Sequence, residues 1–154
     1  MNHKVLKILV AIKGSESCSK VAKKAQEMAL LCKGDVTFLT IVSSDFKLIT
    51  SKEEMEVENK KMELKKTETE KALKTCSMVY GQCELVLGEK GLKTKRVVKE
   101  GNNPAEDIVE YADENNFDLL VIAAKGNESL KDKLLGSTTE KIVRYAKTSV
   151  LVVK

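Results

Sequence analysis

Apolar runs of two kinds alternate along this chain, and the alternation leaves few folds open. The run after Lys4 reads VLKILVAI to Ile12, and the stretch Asp118 to Ala124 reads DLLVIAA; both are nearly uninterrupted and rich in branched side chains. A strand that is apolar on both faces must be covered on both faces, as in parallel sheets flanked by helices. Between these runs the period changes. Val21, Ala22, Ala25, Met28, Ala29 and Cys32 recur at threes and fours, which predicts an amphipathic helix stopped by Gly34 after Lys33. Val36 to Val42, VTFLTIV, predicts a second strand closed by Ser43, Ser44 and Asp45.

From Lys52 to about Leu87 the chain becomes highly charged, with glutamates 53, 54, 56 and 58 ahead of lysines 60, 61, 65 and 66. That order suits a helix macrodipole. Ala72, Cys76, Val79, Cys83 and Val86 supply its apolar stripe, the charges read either as a solvated face or as a partner-binding face, and Gly81 is a point where the helix can weaken or kink. Gly91 ends it. Leu92 to Lys99 alternates with many lysines, the pattern of a strand exposed on one side or at a sheet edge. Asn103 before Pro104 predicts an N-cap and first turn for a helix from Ala105 to Asn116 that buries Ile108, Val109 and Ala112. A further helix is expected from about Thr139 to Ala146, and Val150 to Val153 reads as a fifth strand.

The order β-α-β-α-β-α-β-α-β has no internal break in composition. It predicts an α/β fold: one doubly wound, five-stranded, mainly parallel sheet with helices on both faces, forming a single domain over residues 1–154. Ligands of such sheets sit beyond the carboxyl ends of the strands, near the switch in strand order. Those ends carry Lys13, the segment from Ile41 to Ser44, Gly101, and Ala123 to Gly126.

Composition narrows the function. The one histidine, His3, lies at the N-terminal end, so no triad with a histidine base can be assembled within the chain. Aromatic residues at 4% make a single-strand stacking platform, and with it nucleic acid as a partner, a poor expectation. No apolar run reaches the roughly 18 residues of a membrane span, and no signal segment is evident, so a cytoplasmic protein is expected. Cys18, Cys32, Cys76 and Cys83 show no C-x-x-C spacing, which argues against a metal or redox centre. Cys76 and Cys83 on one helix would stand about 10 Å apart along its axis, too far for a disulfide. All four are expected to be small apolar thiols in a reducing compartment.

Gly126, nine further residues, and then Gly136-Ser137-Thr138 lead into the last helix. Glycine admits close approach of an oxyanion to backbone amides, the helix start attracts phosphate, and hydroxyls add hydrogen bonds. The same residues also read as an ordinary cap. Glu128 and Asp132, between the glycines, read as metal-holding carboxylates or as solvated loop charges. No G-x-x-x-x-G-K-S/T element is present, so a P-loop ATPase is not supported.

Three segments then stand together. ILVAIKGSE, KEGNNPAEDIVEYADENNFDLLVIAAKG and LKDKLLGSTTEKIVRYAKTSVLVV resemble, in order and spacing, the opening strand, the glycine-proline helix with fourth strand, and the C-terminal signature of the universal stress protein family. The resemblance extends over nearly the whole chain and implies its adenine nucleotide alpha-hydrolase-like, Rossmann-like fold. Nucleotide-binding members carry Gly-x2-Gly-x9-Gly-Ser/Thr after the fourth strand. Here the first glycine is replaced by Ala123, Gly126 and Gly136 match, and Ser137 fills the hydroxyl position. The family's aspartate at the end of the first strand is Lys13, which either meets phosphate or stays solvated, as does Lys125; the backbone contact of the second strand falls at Ile41.

The resemblance thus implies a stress-response regulator that binds ATP or a related adenine nucleotide, with magnesium accompanying ATP. Gly126, Gly136, Ser137 and Thr138 would hold phosphates, while Lys13 and Ile41 would border the base. It also implies a homodimer formed through the last strand, at Val150, Leu151 and Val152. Two other readings stay open: a dimeric interaction module without nucleotide, recruiting an unknown protein partner, and a slow ATP hydrolase. No catalytic residue and no protein metal site is assigned.

Overall fold

A computed structural model describes residues 4–12, 18–42, 74, 76–124 and 135–154. Strands β1 (Lys7–Ile12), β2 (Asp35–Val42), β3 (Thr94–Glu100), β4 (Leu119–Ala123) and β5 (Ser149–Val153) form one sheet in the order β3-β2-β1-β4-β5. Every neighbouring pair is parallel. Helices are α1 (Cys18–Cys32), α2, helical throughout 76–89, α3 (Pro104–Glu114) and α4 (Ser137–Tyr145). The chain winds outward from β1 to β3, returns to β4 on the other side of β1, and proceeds to β5. Strand order therefore switches between β1 and β4.

The period-two geometry of β1 explains its uninterrupted apolar sequence. Ile8, Val10 and Ile12 enter a core with Val36, Phe38 and Val121 beneath α1 and α2, contributed by Val21, Ala25, Cys83 and Leu87. Leu9 and Ala11 enter a second core with Leu39, Leu120 and Ile122 beneath α3 and α4, where Ile108, Ala112 and Ile142 cover them. The sheet is thus covered on both faces as the sequence requires. β3 is an edge strand and only half-buried, in keeping with its lysines.

Three helices stop in the same way. Lys33, Gly91 and Asn116 take positive φ of 54°, 74° and 54°. The residue after each donates its N–H five positions back, at 3.0 Å from Gly34 to Ala29, 3.0 Å from Leu92 to Leu87 and 3.1 Å from Phe117 to Ala112. These are the carbonyls a helix end leaves unpaired. At α1 the left-handed residue is therefore Lys33, not the expected Gly34. Gly34 is needed for proximity instead: a Cβ there would lie 3.0 Å from the Leu6 carbonyl oxygen and 3.1 Å from Ile8 Cδ1.

Helix α2 passes through Gly81 without a break, so the anticipated weakening is not seen among the described residues. Its buried positions are Cys76, Tyr80, Cys83 and Leu87. Val79 and Val86 flank that stripe rather than centre it. Tyr80 stacks on Phe38 with ring centroids 4.1 Å apart, and burial pushes its phenol up to about 12. Arg96 on β3 ties the outer side of α2 down, donating from Nε to Glu84 at 3.2 Å and from Nη1 to the Ser77 hydroxyl at 2.7 Å. Most of the charged stretch 52–87, including Ala72, lies outside the described residues.

The expectation of four free thiols fails for two of them. Cys18 and Cys76 are joined by a disulfide with Cα atoms 5.8 Å apart, while Cys32 and Cys83 are free. Burial brought together sulfurs 58 positions apart in sequence, a contact that spacing alone does not reveal.

Two carboxylates fasten strand starts. Asp113 accepts from the amides of Lys147 and Thr148 and, at 2.8 Å, from the Thr148 hydroxyl, holding the approach to β5 against α3. Desolvation pushes its pKa up, but these hydrogen bonds outweigh it and hold the group below the ordinary carboxylate value. Asp118 accepts from the Lys7 amide at 2.8 Å, the leading cause of its lowered pKa, and from Lys4 Nζ at 3.0 Å. A depressed folded-state pKa gives stability that is present above the unfolded value, about 3.9, and lost as pH falls through the folded one. The urea midpoint is therefore expected to drop on acidification below about pH 4, and less so in Asp113→Asn. Parallel acid profiles for the two proteins would contradict this.

Candidate functional site

The carboxyl ends of β4 and β5 build a platform on which α4 begins. Ala124 donates its amide to the Val153 carbonyl at 2.8 Å, and Gly136 donates to the Ala124 carbonyl at 2.9 Å. Thr139, buried, donates its hydroxyl to the Ala123 carbonyl at 2.7 Å. The first turn of α4 is thereby fixed at the strand end beside the switch in strand order. Thr139 was not singled out from the sequence, although the third hydroxyl of Gly-Ser-Thr-Thr was its signal.

The two helix starts on this face differ. At α3, Asn103 Oδ1 accepts from the Glu106 amide at 3.4 Å and Pro104 removes one donor, so two of the helix's loose ends are settled locally. At α4 the N-cap is Gly136, with φ −60° and ψ 154°, and among the described residues no side chain caps the helix. Glu140 donates to the Gly136 carbonyl at 2.9 Å, which starts the helical ladder. The amides of Ser137, Thr138 and Thr139 precede that first bond and have no intrahelical acceptor. Ser137 is exposed and Thr138 half-exposed. Together they present amide and hydroxyl donors at the positive end of a helix, an arrangement suited to an anion.

Ile41 lies on β2, opposite Lys99 of β3, and packs against the α3 and α4 side of the sheet. The described β1–β2 register runs to Ile12 opposite Thr40, so Ile41 stands one residue beyond it, at the same rim as α4. Gly101, at the end of β3, donates to the Val42 carbonyl at 2.9 Å, and the Asp107 carboxylate lies against its Cα. Asp107 Oδ2 is buried and has no hydrogen-bond partner among the described residues, a feature with no sequence signal. The methyl of Ala123 packs into the core on the α1 side, away from the start of α4. Of the expected site residues, Ile41, Gly136, Ser137 and Thr138 thus share the carboxyl rim of the sheet. Lys13, Lys125, Gly126, Glu128 and Asp132 lie outside the described residues.

Among the described residues no group of three His, Cys, Asp or Glu side chains gathers to hold a metal ion. None of the described helices is long and apolar enough to cross a membrane.

Comparison with known proteins agrees with this architecture. Residues 4–154 match the model of the universal stress protein family. The chain is 32% identical to universal stress protein MJ0531 of Methanocaldococcus jannaschii over 149 residues, covering 96% of this chain and 81% of that one. Universal stress protein UspA from Lactobacillus plantarum shares the fold with a TM-score of 0.75, at 22% identity over 99% of this chain and 100% of that one. The structure of MJ0577 gives a TM-score of 0.69 at 29% identity, covering 97% and 95%. Two further universal stress proteins of this fold, each 20% identical, were solved with cAMP and, in the Archaeoglobus fulgidus case, with dAMP; their TM-scores are 0.62 and 0.58. They cover 97% of this chain and 97% and 98% of their own. With the matched model spanning all but its first three residues, the chain belongs to the universal stress protein family.

Proposed function

We propose that this protein binds an adenine nucleotide at the carboxyl rim of its sheet and acts as a ligand-responsive stress regulator rather than as a catalyst. The observation that carries the reading is the start of α4, where three amides have no intrahelical acceptor and two hydroxyl residues share a turn that is anchored to β4 and, among the described residues, has no side-chain cap. Gly136, Ser137 and Thr138 hold phosphate, Gly126 completes the cradle, and Lys13 and Ile41 border the base. The cAMP and dAMP complexes of relatives support the nucleotide class. ATP, with its magnesium, is the ligand we favour.

Loss of the family's first glycine is the main objection, and the packing of the Ala123 methyl on the opposite side of the sheet weakens it. The competing reading, an interaction module without nucleotide, then rests chiefly on Lys13. We expect calorimetry with millimolar ATP and magnesium to show saturable heat. Absence of heat in the parent, with heat appearing in Lys13→Asp, would favour the module instead.

The homodimer belongs to the same proposal. β5 is one of the two edge strands, and Val150, Leu151 and Val152 are only partly buried within one chain. A second copy pairing along β5 would satisfy its open edge. Light scattering is expected to give twice the chain mass at micromolar concentration; a monomer would refute the interface.

A further inference from the structure

The disulfide lies at the end of the molecule where the proposed ligand sits. Cys18 is the first residue of α1, the helix that follows β1, and so stands at the carboxyl end of the sheet. Helix α2 leads into β3, a parallel strand, and therefore runs from the carboxyl end towards the amino end, which puts Cys76 at its carboxyl-end part. The bond pins the first turn of α1 to α2 beside Ile12, the last residue of β1. It closes a span of 58 positions containing the rest of α1 and all of β2. The other two thiols lie elsewhere on the same helices and stay reduced: Cys32 donates to the Met28 carbonyl, and Cys83, buried, faces the Ala22 carbonyl at 3.7 Å.

We propose that the Cys18–Cys76 disulfide is a redox latch, opened by a dithiol and closed by a disulfide, that fixes the first turn of α1 at the ligand-bearing rim. The two sulfurs are not equivalent. Cys18 is 0% exposed and Cys76 6%, so an incoming thiolate reaches Cys76 first when the rim opens. Cys18 then leaves at a helix N-terminus whose first turn holds no acidic residue and includes Lys20, surroundings that favour a departing thiolate. Attack by one sulfur of the dithiol forms a mixed disulfide on Cys76 and breaks the Cys18–Cys76 bond. Its second sulfur attacks the mixed disulfide, closes a cyclic disulfide and releases the Cys76 thiolate. The two protein thiolates take up the two protons the dithiol gave up. The dithiol is oxidised by two electrons and the protein reduced by two.

The latch has a consequence for binding that rests on the nucleotide reading above. Cys18 opens α1 at the carboxyl rim and shares a core with Ile12 at the end of β1, so freeing the start of α1 loosens the rim at which the nucleotide would sit.

The test uses the full chain, oxidised with dithiothreitol's cyclic disulfide or reduced with dithiothreitol. Alkylation after denaturation should label two cysteines in the oxidised form and four in the reduced form. Amide exchange in the first turn of α1 should be about tenfold or more faster after reduction. ATP affinity should fall by about fivefold or more. Cys76→Ser should match the reduced protein in both readouts; should it not fold, the comparison of oxidised and reduced parent stands by itself. Four labelled cysteines under oxidising conditions would overturn the latch, as would unchanged exchange. Changed exchange with ATP binding in neither form would support the latch and refute the nucleotide reading. Equal ATP affinity in both forms would overturn its role at the site.

Discussion

Gly136→Asp will leave the protein folded, with α4 slightly more stable, and will abolish adenine-nucleotide binding. The two effects have one cause. Gly136 is the N-cap of α4, its φ of −60° and ψ of 154° suit any L-residue, and among the described residues no side chain caps the helix. An aspartate there accepts from the second or third amide of the helix, which adds a few tenths of a kcal/mol over glycine, with about 0.3–1 kcal/mol more from the macrodipole. Those are the amides of Thr138 and Thr139 that a phosphate would use, and the new carboxylate also repels it. Losing two charge-assisted hydrogen bonds at about 1.5–3 kcal/mol each predicts affinity weaker by about 100-fold or more. Thermal unfolding and ATP calorimetry on the same sample read the two together. A variant that binds ATP as well as its parent would remove the start of α4 from the site.

Reducing the Cys18–Cys76 disulfide will lower global stability by roughly 4 kcal/mol on the chain-entropy model for a loop of this length. Domains of this size have only about 5–15 kcal/mol in total, so the change is large. The bond is buried between α1 and α2, and its sulfurs belong to the core formed by Ile12, Val21 and Cys83. Cys18→Ala with Cys76→Ala should lose as much as reduction or somewhat more, because the missing sulfur atoms leave a gap in that core. Guanidinium unfolding with and without reductant measures the first effect. Coincident transitions would show that the bond does not constrain the unfolded chain.

Much of the sheet was legible because its residues report both faces at once. The unbroken apolar run of β1 calls for cover on both faces, and the lysines from Lys93 to Lys99 suit a strand exposed on one side or at an edge; β1 is central and buried on both faces, and β3 lies at an edge. Asn103 before Pro104 fixed the start of α3 from local chemistry alone. The start of α4 was placed at Thr139, yet Ser137 is its first residue, since the Gly136 cap is backbone and has no side-chain signature. On α2 the stripe was drawn through Val79 and Val86, whereas Tyr80 and Leu87 are the buried members. Tyrosine counts as polar in a periodic pattern although its ring, stacked on Phe38, belongs to the core.

The site was less legible than the fold. Ser137 and Thr138 were visible as hydroxyls ahead of a helix, but taken alone those residues read more readily as an ordinary cap than as a cradle. Among the described residues α4 has no capping side chain, unlike α3, and the proposed cradle rests on that difference. The role of Thr139 depends on its 2.7 Å bond to the Ala123 carbonyl, sixteen positions away, which only the crossover from β4 to α4 creates. The disulfide is the extreme case, since no local rule pairs Cys18 with Cys76.

In the proposed nucleotide site, phosphate is held at the first turn of α4. Amide chemical shifts of the uniformly labelled protein, followed while ATP and magnesium are added, test it most directly. Saturating shifts are expected to be largest at Ser137, Thr138 and Thr139, accompanied by Ile41 at the rim of β2. Saturating shifts confined to the amino ends of the strands, around Lys7, Asp35 and Lys93, or no shifts at millimolar nucleotide, would contradict it.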